Sequence, residues 1–395
     1  MKIIDVRISG GIHGNKIGGG TLHFNGILSN LSTLKNYEII VIKGGNDSSN
    51  LPENIVKVNV LDRVERKIGD VQSFIFILFG YFSARKNIQR IDCKVLDKNN
   101  VIVISESPTP SDILCAAYFC RKYGYRGLIY FHHIPPPLWV KTFRRGFFKS
   151  ILKSALTDIS LILVKLFNLN IAIDVKRIMQ YTSFKFESKI LEDEQFIPQK
   201  YFNMQLGTKD NDADKLYDAC YVGRIEEGKG IKDLVECWKI VCRELPDSKL
   251  VIMGNLETSF GKKITDLSRK RKLEANIIFK GFVSDEEKIK IMKNSKLFIF
   301  PSYEEGWSIA IMESIMAGLV PVMYDLPAYD YLGPFPYKVR IGEYVELGKT
   351  VTKLLRLDNE ELRSANKSLR EKINKYTLEY CTLQQIANFE RVLYG

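Results

Sequence analysis

The chain has 395 residues, of which 45% are hydrophobic and 26% charged, and it carries a net charge of +12. At roughly 150 residues per domain the length suggests two or three domains. The composition excludes a disordered tail protein, a collagen-like fibre and a small disulfide scaffold, and the basic balance points to an anionic partner: nucleotide, nucleic acid, phospholipid head group or phosphorylated substrate.

The N-terminal Met-Lys-Ile-Ile-Asp-Val reads as a first strand, without the charged and apolar stretches of a cleaved signal. The longest apolar run, Phe74–Phe82, falls short of the about 20 residues that span a bilayer. Further strands are expected at Glu38–Ile42, Val101–Ile104 and Leu128–Phe131, with a helix over Asp112–Tyr123 capped by Ser111. Unbroken apolar runs separated by helices indicate a parallel sheet covered on both faces. The polar stretch Leu206–Lys215 has linker composition, and the rhythm then restarts. Strands are expected at Cys220–Val222, Lys249–Met253, Asn276–Phe279, Leu297–Phe300 and Val320–Met323. The helices between them are expected at Ile231–Leu245, Gly261–Leu273, Asp285–Lys293 with Ser284 as cap, and Ile309–Ala317. A final helix over Asn359–Val392 is interrupted near Tyr376. Two α/β halves imply a cleft, and open parallel sheets bind ligands beyond their carboxyl ends.

The cysteines, Cys93, Cys115, Cys120, Cys220, Cys237, Cys242 and Cys381, form no C-x-x-C pair and are odd in number. They read as buried thiols of a reducing compartment. The four histidines are not spaced to complete a zinc site, so no metal is expected.

Four segments carry chemistry. Pro301–Glu313 leaves a strand and opens a helix; Glu305 lies in the loop and Glu313 about one turn into the helix. Gly306 admits close backbone approach, and the amides from Trp307 to Ala310 are helix-start donors suited to an anion or a ring of hydroxyls. The plain alternative is a surface loop before an ordinary helix. Tyr221–Gly230 places Arg224 and Lys229 around a glycine-bearing turn, fit to hold a departing diphosphate; solvated surface charges are the alternative. Gly10–Gly20 is a glycine-rich loop after the first strand, able to cradle phosphate. It lacks the G-x-G-x-x-G order, and no acidic residue ends the second strand, which argues against a dinucleotide dehydrogenase. His132-His133-Ile134-Pro135 follows the fourth strand, where a histidine can meet a hydroxyl or a developing charge, or form a proline-fixed turn.

Together these segments resemble the retaining, nucleotide-sugar-dependent glycosyltransferases of the GT-B fold with the E-x7-E motif, the large family four. The likeness is strongest from Tyr221 to Asp325, in the order G-R-x4-K-G, G-F-V, P-S-x-x-E-G and E-S-I-M-A-G-L-V-P-V. The resemblance implies an α/β GT-B fold of two Rossmann-like domains facing across a cleft. Residues 1–205 would bind acceptor, 206–375 would bind nucleotide sugar, and the helix of 376–395 would cross back to the first domain. It further implies that Arg224 and Lys229 hold the donor diphosphate and that the backbone around Phe282 and Val283 meets the base. Glu305 would contact the transferred sugar, with amides from Gly306, Trp307, Ser308 and Ile309, and Glu313 would bind the ribose hydroxyls. Gly19 and Gly20 would close on the phosphates. His133 fits the family's His-x-Pro pattern better than His132, and the acceptor side takes in Glu106, His132 and His133. The donor is a UDP- or GDP-sugar, with no further cofactor and no metal; Asp212-Ala213-Asp214 mimics a D-x-D motif inside the linker. A sugar-nucleotide-binding scaffold without catalysis is the rival reading.

Pro137–Phe167 carries Lys141, Arg144, Arg145, Lys149, Lys153 and Lys165 against Asp158, interleaved with Trp139, Phe143, Phe147, Phe148, Ile151 and Leu152. This pattern suits an anionic membrane surface, hence a cytoplasmic protein peripheral on the inner leaflet with a lipid-linked acceptor. A basic surface helix with a core-facing apolar side is the alternative. No nucleic-acid module is recognisable.

Overall fold

The computed structural model describes residues 1–8, 19–44, 51–61, 70–92, 97–132, 134, 147–174, 190–204 and 215–395. They form two compact units. Unit 1 comprises residues 1–137, 151–196 and 378–395, and unit 2 comprises residues 138–150 and 197–377.

Unit 1 contains β1 (Lys2–Arg7), α1 (Gly19–Thr33), β2 (Glu38–Gly44), β3 (Val56–Leu61), α2 (Asp70–Arg90), β4 (Val101–Ser105), α3 (Pro110–Tyr123), β5 (Arg126–Phe131), α4 (Phe147–Leu166) from Ile151 on, β6 (Asn170–Ile173) and β7 (Ile190–Glu192). Its seven strands run parallel in the order β3-β2-β1-β4-β5-β6-β7. Central strands such as Val101–Ser105 are buried at every residue, as expected of a sheet covered on both faces. β3, β6 and β7 go beyond the sequence expectation. β3 is an edge strand with exposed residues, and β6 and β7 are only four and three residues long. Helix α3 starts two residues before the expected Asp112. Pro110 supplies a preset φ at its first position, and Thr109, not Ser111, is its cap. The Ser111 hydroxyl instead accepts a hydrogen bond from Tyr81 N at 3.3 Å.

Unit 2 follows with α5 (Gln199–Phe202), β8 (Tyr217–Val222), α6 (Ile231–Glu244), β9 (Leu250–Met253), α7 (Ser259–Lys270), β10 (Ile277–Gly281), α8 (Asp285–Lys293), β11 (Ser295–Phe300), α9 (Ile309–Met316), β12 (Val320–Tyr324), β13 (Lys338–Val339), α10 (Tyr344–Leu355) and α11 (Asn359–Ile373). Six parallel strands take the order β10-β9-β8-β11-β12-β13, the doubly wound arrangement that puts a topological switch between β8 and β11. Ser284 caps α8 as expected, its hydroxyl accepting from Glu287 N at 3.2 Å. α6 shows how the sequence buries one helix face. Ile231, Leu234, Val235, Trp238 and Val241 recur at helical spacing, and all are fully buried.

The expected break near Tyr376 separates α11 from α12 (Leu378–Tyr394), and α12 belongs to unit 1. There Cys381, Phe389, Val392 and Leu393 join Ile3, Phe24, Ile27, Val41, Ile104 and Tyr130 in one apolar core. None of the six described cysteines forms a disulfide. Burial pushes the Cys120 and Cys220 thiols up to about 12, so both stay protonated at neutral pH.

Phe389→Ala is expected to lower protection against amide exchange in β1 and β4 by about 3–5 kcal/mol and to leave β8 and β11 unchanged. Equal losses in both sheets would contradict a core shared by α12 and unit 1 alone.

Candidate functional site

The loops that follow β8 and β11 are stitched together. Gly230 has φ +66°, and a Cβ placed on it would lie 1.8 Å from the Pro301 carbonyl oxygen. Only glycine fits both the dihedral and the gap. Tyr303 N donates to Gly228 O at 2.9 Å, and the Ser302 hydroxyl donates to the same oxygen at 3.3 Å. One buried carboxylate oxygen of Asp233, in the first turn of α6, accepts from the hydroxyls of both Tyr303 and Tyr324. This frame brings two sequence-predicted residues together: Lys229 Nζ lies 2.5 Å from Glu305 Oε1, with both side chains almost nine-tenths buried or more. Arg224 differs. It is 72% exposed and paired with Glu226 at 3.2 Å.

Helix α9 starts from a strained residue. Ser308 has φ +73° and ψ +78°, a left-handed conformation for a non-glycine, and its buried hydroxyl finds no partner among the described residues. Such geometry costs on the order of 1–3 kcal/mol and clusters at binding sites. Trp307 turns inward, stacking on Tyr331 at 4.6 Å between ring centroids and donating to Met312 Sδ, so its contribution to the loop is backbone only. Gly306 and Ile309 flank these two residues, the latter opening the helix. Phe282 is 89% exposed just beyond β10, and Val283 is half-buried.

Glu313 projects from α9 and is buried. Lys288 of α8, which the sequence reading passed over, donates to both of its oxygens at 3.0 and 3.1 Å and also pairs with Asp285 at 3.2 Å. The same ammonium sits 5.6 Å from the centre of the Tyr201 ring. Burial disfavours charge on Lys288, but Glu313 and then Asp285 outweigh it and raise its pKa. Burial raises the pKa of Glu313, against the pull of Lys288. The one signal for Lys288 was its place in an acidic helix start, Asp285-Glu286-Glu287-Lys288.

In unit 1 the carboxyl edge of the sheet gathers buried polar groups. Arg7 Nε donates to Asp5 Oδ2 at 2.5 Å, and its Nη1 donates to Asn25 Oδ1 at 2.6 Å and lies 3.4 Å from Glu106. His132 Nδ1 is 3.1 Å from Asp174 Oδ1 and 3.7 Å from Asp193 Oδ2. Burial disfavours the imidazolium, but Asp174, by charge and hydrogen bond, and then Asp193 and Glu106 hold its pKa up at about 9. Burial pushes Asp174 up to about 6 against the attraction of His132. Of the sequence-predicted residues here, Glu106 is buried against Arg7, and Gly19 and Gly20 open α1. His133, Gly10–Gly18, Asp212 and Asp214 lie outside the described residues. Asp174 and Asp193 were not foreseen; single acids after short strands carry no spacing signal.

The two doubly wound units make this a GT-B fold. Residues 208–332 match the family model described as Glycosyl transferases group 1. The chain is 30% identical over 147 residues to the capsular polysaccharide biosynthesis glycosyltransferase CapM of Staphylococcus aureus, covering 36% of this chain and 37% of that protein. It is 29% identical over 146 residues to the processive diacylglycerol alpha-glucosyltransferase of Acholeplasma laidlawii, covering 36% and 41%. The chain thus spans about two fifths of the length of these relatives. Among solved structures, Anabaena Alr3699/HepE in complex with UDP and glucose superposes with a TM-score of 0.70 at 14% identity, covering 99% of this chain and 100% of that one.

Lys288→Met strands the buried Glu313 carboxylate and is expected to cost about 3–5 kcal/mol. Adding Glu313→Gln should recover part of the loss. Urea unfolding followed by tryptophan fluorescence checks this, because Trp238 and Trp307 both lie in unit 2. A loss below about 1 kcal/mol, the range of an exposed pair, would contradict it.

Proposed function

We propose that the chain is a retaining glycosyltransferase that moves a hexosyl unit from a UDP- or GDP-sugar to a hydroxyl acceptor, in a lipid-linked or cell-surface glycan. The observation that carries this reading is the Lys229–Glu305 pair, held at 2.5 Å at the carboxyl edge of the unit 2 sheet beside the start of α9. In this reading Lys229 and the exposed Arg224 take the donor diphosphate, and the ammonium exchanges part of its bond to Glu305 for phosphate oxygens. Glu305, relieved of that bond, accepts from hydroxyls of the transferred sugar. Amides at Gly306–Ile309 and the Ser308 hydroxyl add donors where negative charge grows on the leaving phosphate. Glu313 takes the ribose hydroxyls, and Phe282 and Val283 flank the base. The departing phosphate accepts the acceptor's proton on the same face of the sugar, which accounts for retention without a protein nucleophile. The acceptor falls to unit 1, around Glu106, His132 and His133.

The comparisons support this reading from two sides. HepE was solved with UDP and glucose, and the Acholeplasma laidlawii relative is named a processive diacylglycerol alpha-glucosyltransferase. A thermal-shift screen with UDP, GDP, ADP and their sugar conjugates should raise the melting temperature with one base only. With that donor, Lys229→Ala and Glu305→Ala are each expected to cut kcat by about 10²–10³, and product NMR should show the donor's anomeric configuration. Near-wild-type rates in both variants sink the site; an inverted product sinks retention. Binding of the nucleotide with no transfer to any acceptor favours the non-catalytic scaffold.

The acceptor class draws on α4. Leu152, Ile159, Ile162 and Leu166 are exposed along one stripe of this helix, while Leu161 and Val164 are buried on another. Trp139 and Phe143 lie outside the described residues, and the side chains of Phe147, Phe148 and Ile151 are not among those described. No helix among the described residues is long and apolar enough to cross a membrane. An outward apolar stripe in a basic segment fits docking on an anionic leaflet from the cytoplasmic side. Ile162→Glu with Leu166→Glu is expected to weaken partitioning onto vesicles containing phosphatidylglycerol at least tenfold, about 1.4 kcal/mol. Flotation that is equal with and without anionic lipid would remove this part of the reading.

A further inference from the structure

Among the described residues at the carboxyl edge of unit 1, the buried acids outnumber the cations. Arg7 answers Asp5 and Glu106, and His132 answers Asp174 and Asp193. The second group is compact: one donor atom from each of His132, Asp174 and Asp193 lies within 4.8 Å of the others. Ligand atoms around a tetrahedral zinc sit about 3.3 Å apart, given bonds of about 2.0–2.1 Å. The separations from His132 Nδ1, 3.1 Å to Asp174 Oδ1 and 3.7 Å to Asp193 Oδ2, bracket that value.

The remaining carboxylate oxygens are already held from behind. Gln195 Nε2 donates to Asp174 Oδ2 at 2.7 Å, and Gln385 Nε2 donates to Asp193 Oδ1. Tyr130 donates its hydroxyl to Gln385 Oε1 at 2.7 Å, which fixes the end of that amide that faces Asp193. Each carboxylate therefore turns one oxygen toward His132. Asp193 Oδ2 points to a ligand independently. Its side chain is fully buried, and this oxygen has no hydrogen-bond partner among the described residues, a costly state for a carboxylate. His23 is no ligand. Its Nδ1 accepts from Phe196 N at 3.3 Å, so the neutral ring carries its proton on Nε2, which faces Asp193 Oδ1 at 3.6 Å.

We propose that His132 Nδ1, Asp174 Oδ1 and Asp193 Oδ2 form a site for one divalent transition-metal ion, zinc being the ion that suits one imidazole and two carboxylates. Charge balance favours the ion over the proton. Counting only the described residues His132, Asp174 and Asp193, two carboxylates with an imidazolium leave a charge of −1, whereas two carboxylates, a neutral imidazole and a divalent ion sum to zero. Buried net charge is expensive. Gln195 and Gln385 orient the carboxylates as partners behind metal ligands do.

Calorimetric titration of the chelator-stripped full chain with Zn²⁺ is expected to show one equivalent bound. Co²⁺ should give visible d–d absorption without the sulfur-to-cobalt band that cysteine ligation would add. His132→Gln and Asp193→Asn are each expected to weaken Zn²⁺ binding by at least about tenfold. If Asp193→Asn fails to fold, His132→Gln, at a residue 20% exposed, carries the test. An anomalous difference map at the zinc edge, from crystals of the unaltered chain, places the ion without any substitution. No saturable uptake by the unaltered chain, undiminished uptake in the folded variants, or an anomalous peak elsewhere overturns the site.

Discussion

The arrangement of unit 2 depends on one close approach, that of Gly230 to the carbonyl of Pro301. With no room for a Cβ there, the loop after β8 lies directly on the loop after β11. Tyr303 N and the Ser302 hydroxyl then reach Gly228 O, and Asp233 ties both tyrosines to α6. Lys229 meets Glu305 because the backbones beneath them cannot separate. A side chain as long as lysine has many rotamers to lose. Fixing both ends of its loop is what makes one of them dominate.

The two units handle buried charge differently. Unit 2 pairs it: Lys229 with Glu305, and Lys288 with Glu313. Neither pair is a strong source of stability, because desolvation of both partners offsets much of their attraction. In the proposed function their value lies in keeping acids and cations dehydrated and aimed before the donor binds, which lowers the reorganisation that binding demands. Unit 1 instead sets two buried carboxylates, Asp174 and Asp193, against the one imidazole of His132 among the described residues.

Much of this was open to reading from residue order alone, for physical reasons. Buried parallel strands such as Leu297–Phe300 are apolar on both faces, so they stand out as runs, and a cap such as Ser284 marks a helix start. β3 escaped because an edge strand mixes Val56 and Val58 with Lys57 and Asn59, and β7 is too short to show any period. Lys229 and Glu305 drew notice through the glycines and strand–helix junctions around them, though nothing in the order shows that residues 76 apart touch. Lys288 was hidden among the charges of α8. Residues 132, 174, 193 and 385 are brought together only by the sheet order and by the return of α12.

That return has a bearing on how the polypeptide is made. The core of unit 1 draws Cys381, Phe389, Val392 and Leu393 from α12, beyond the whole of residues 197–377. During synthesis the first sheet therefore leaves the ribosome without one of its covering layers. At about 5–20 residues per second, it waits roughly ten to forty seconds for that layer. Throughout that interval Phe24, Ile27 and their neighbours have no α12 to pack against. Unit 2 has its elements in hand before unit 1 is closed, so the half that is translated first is the half that finishes last.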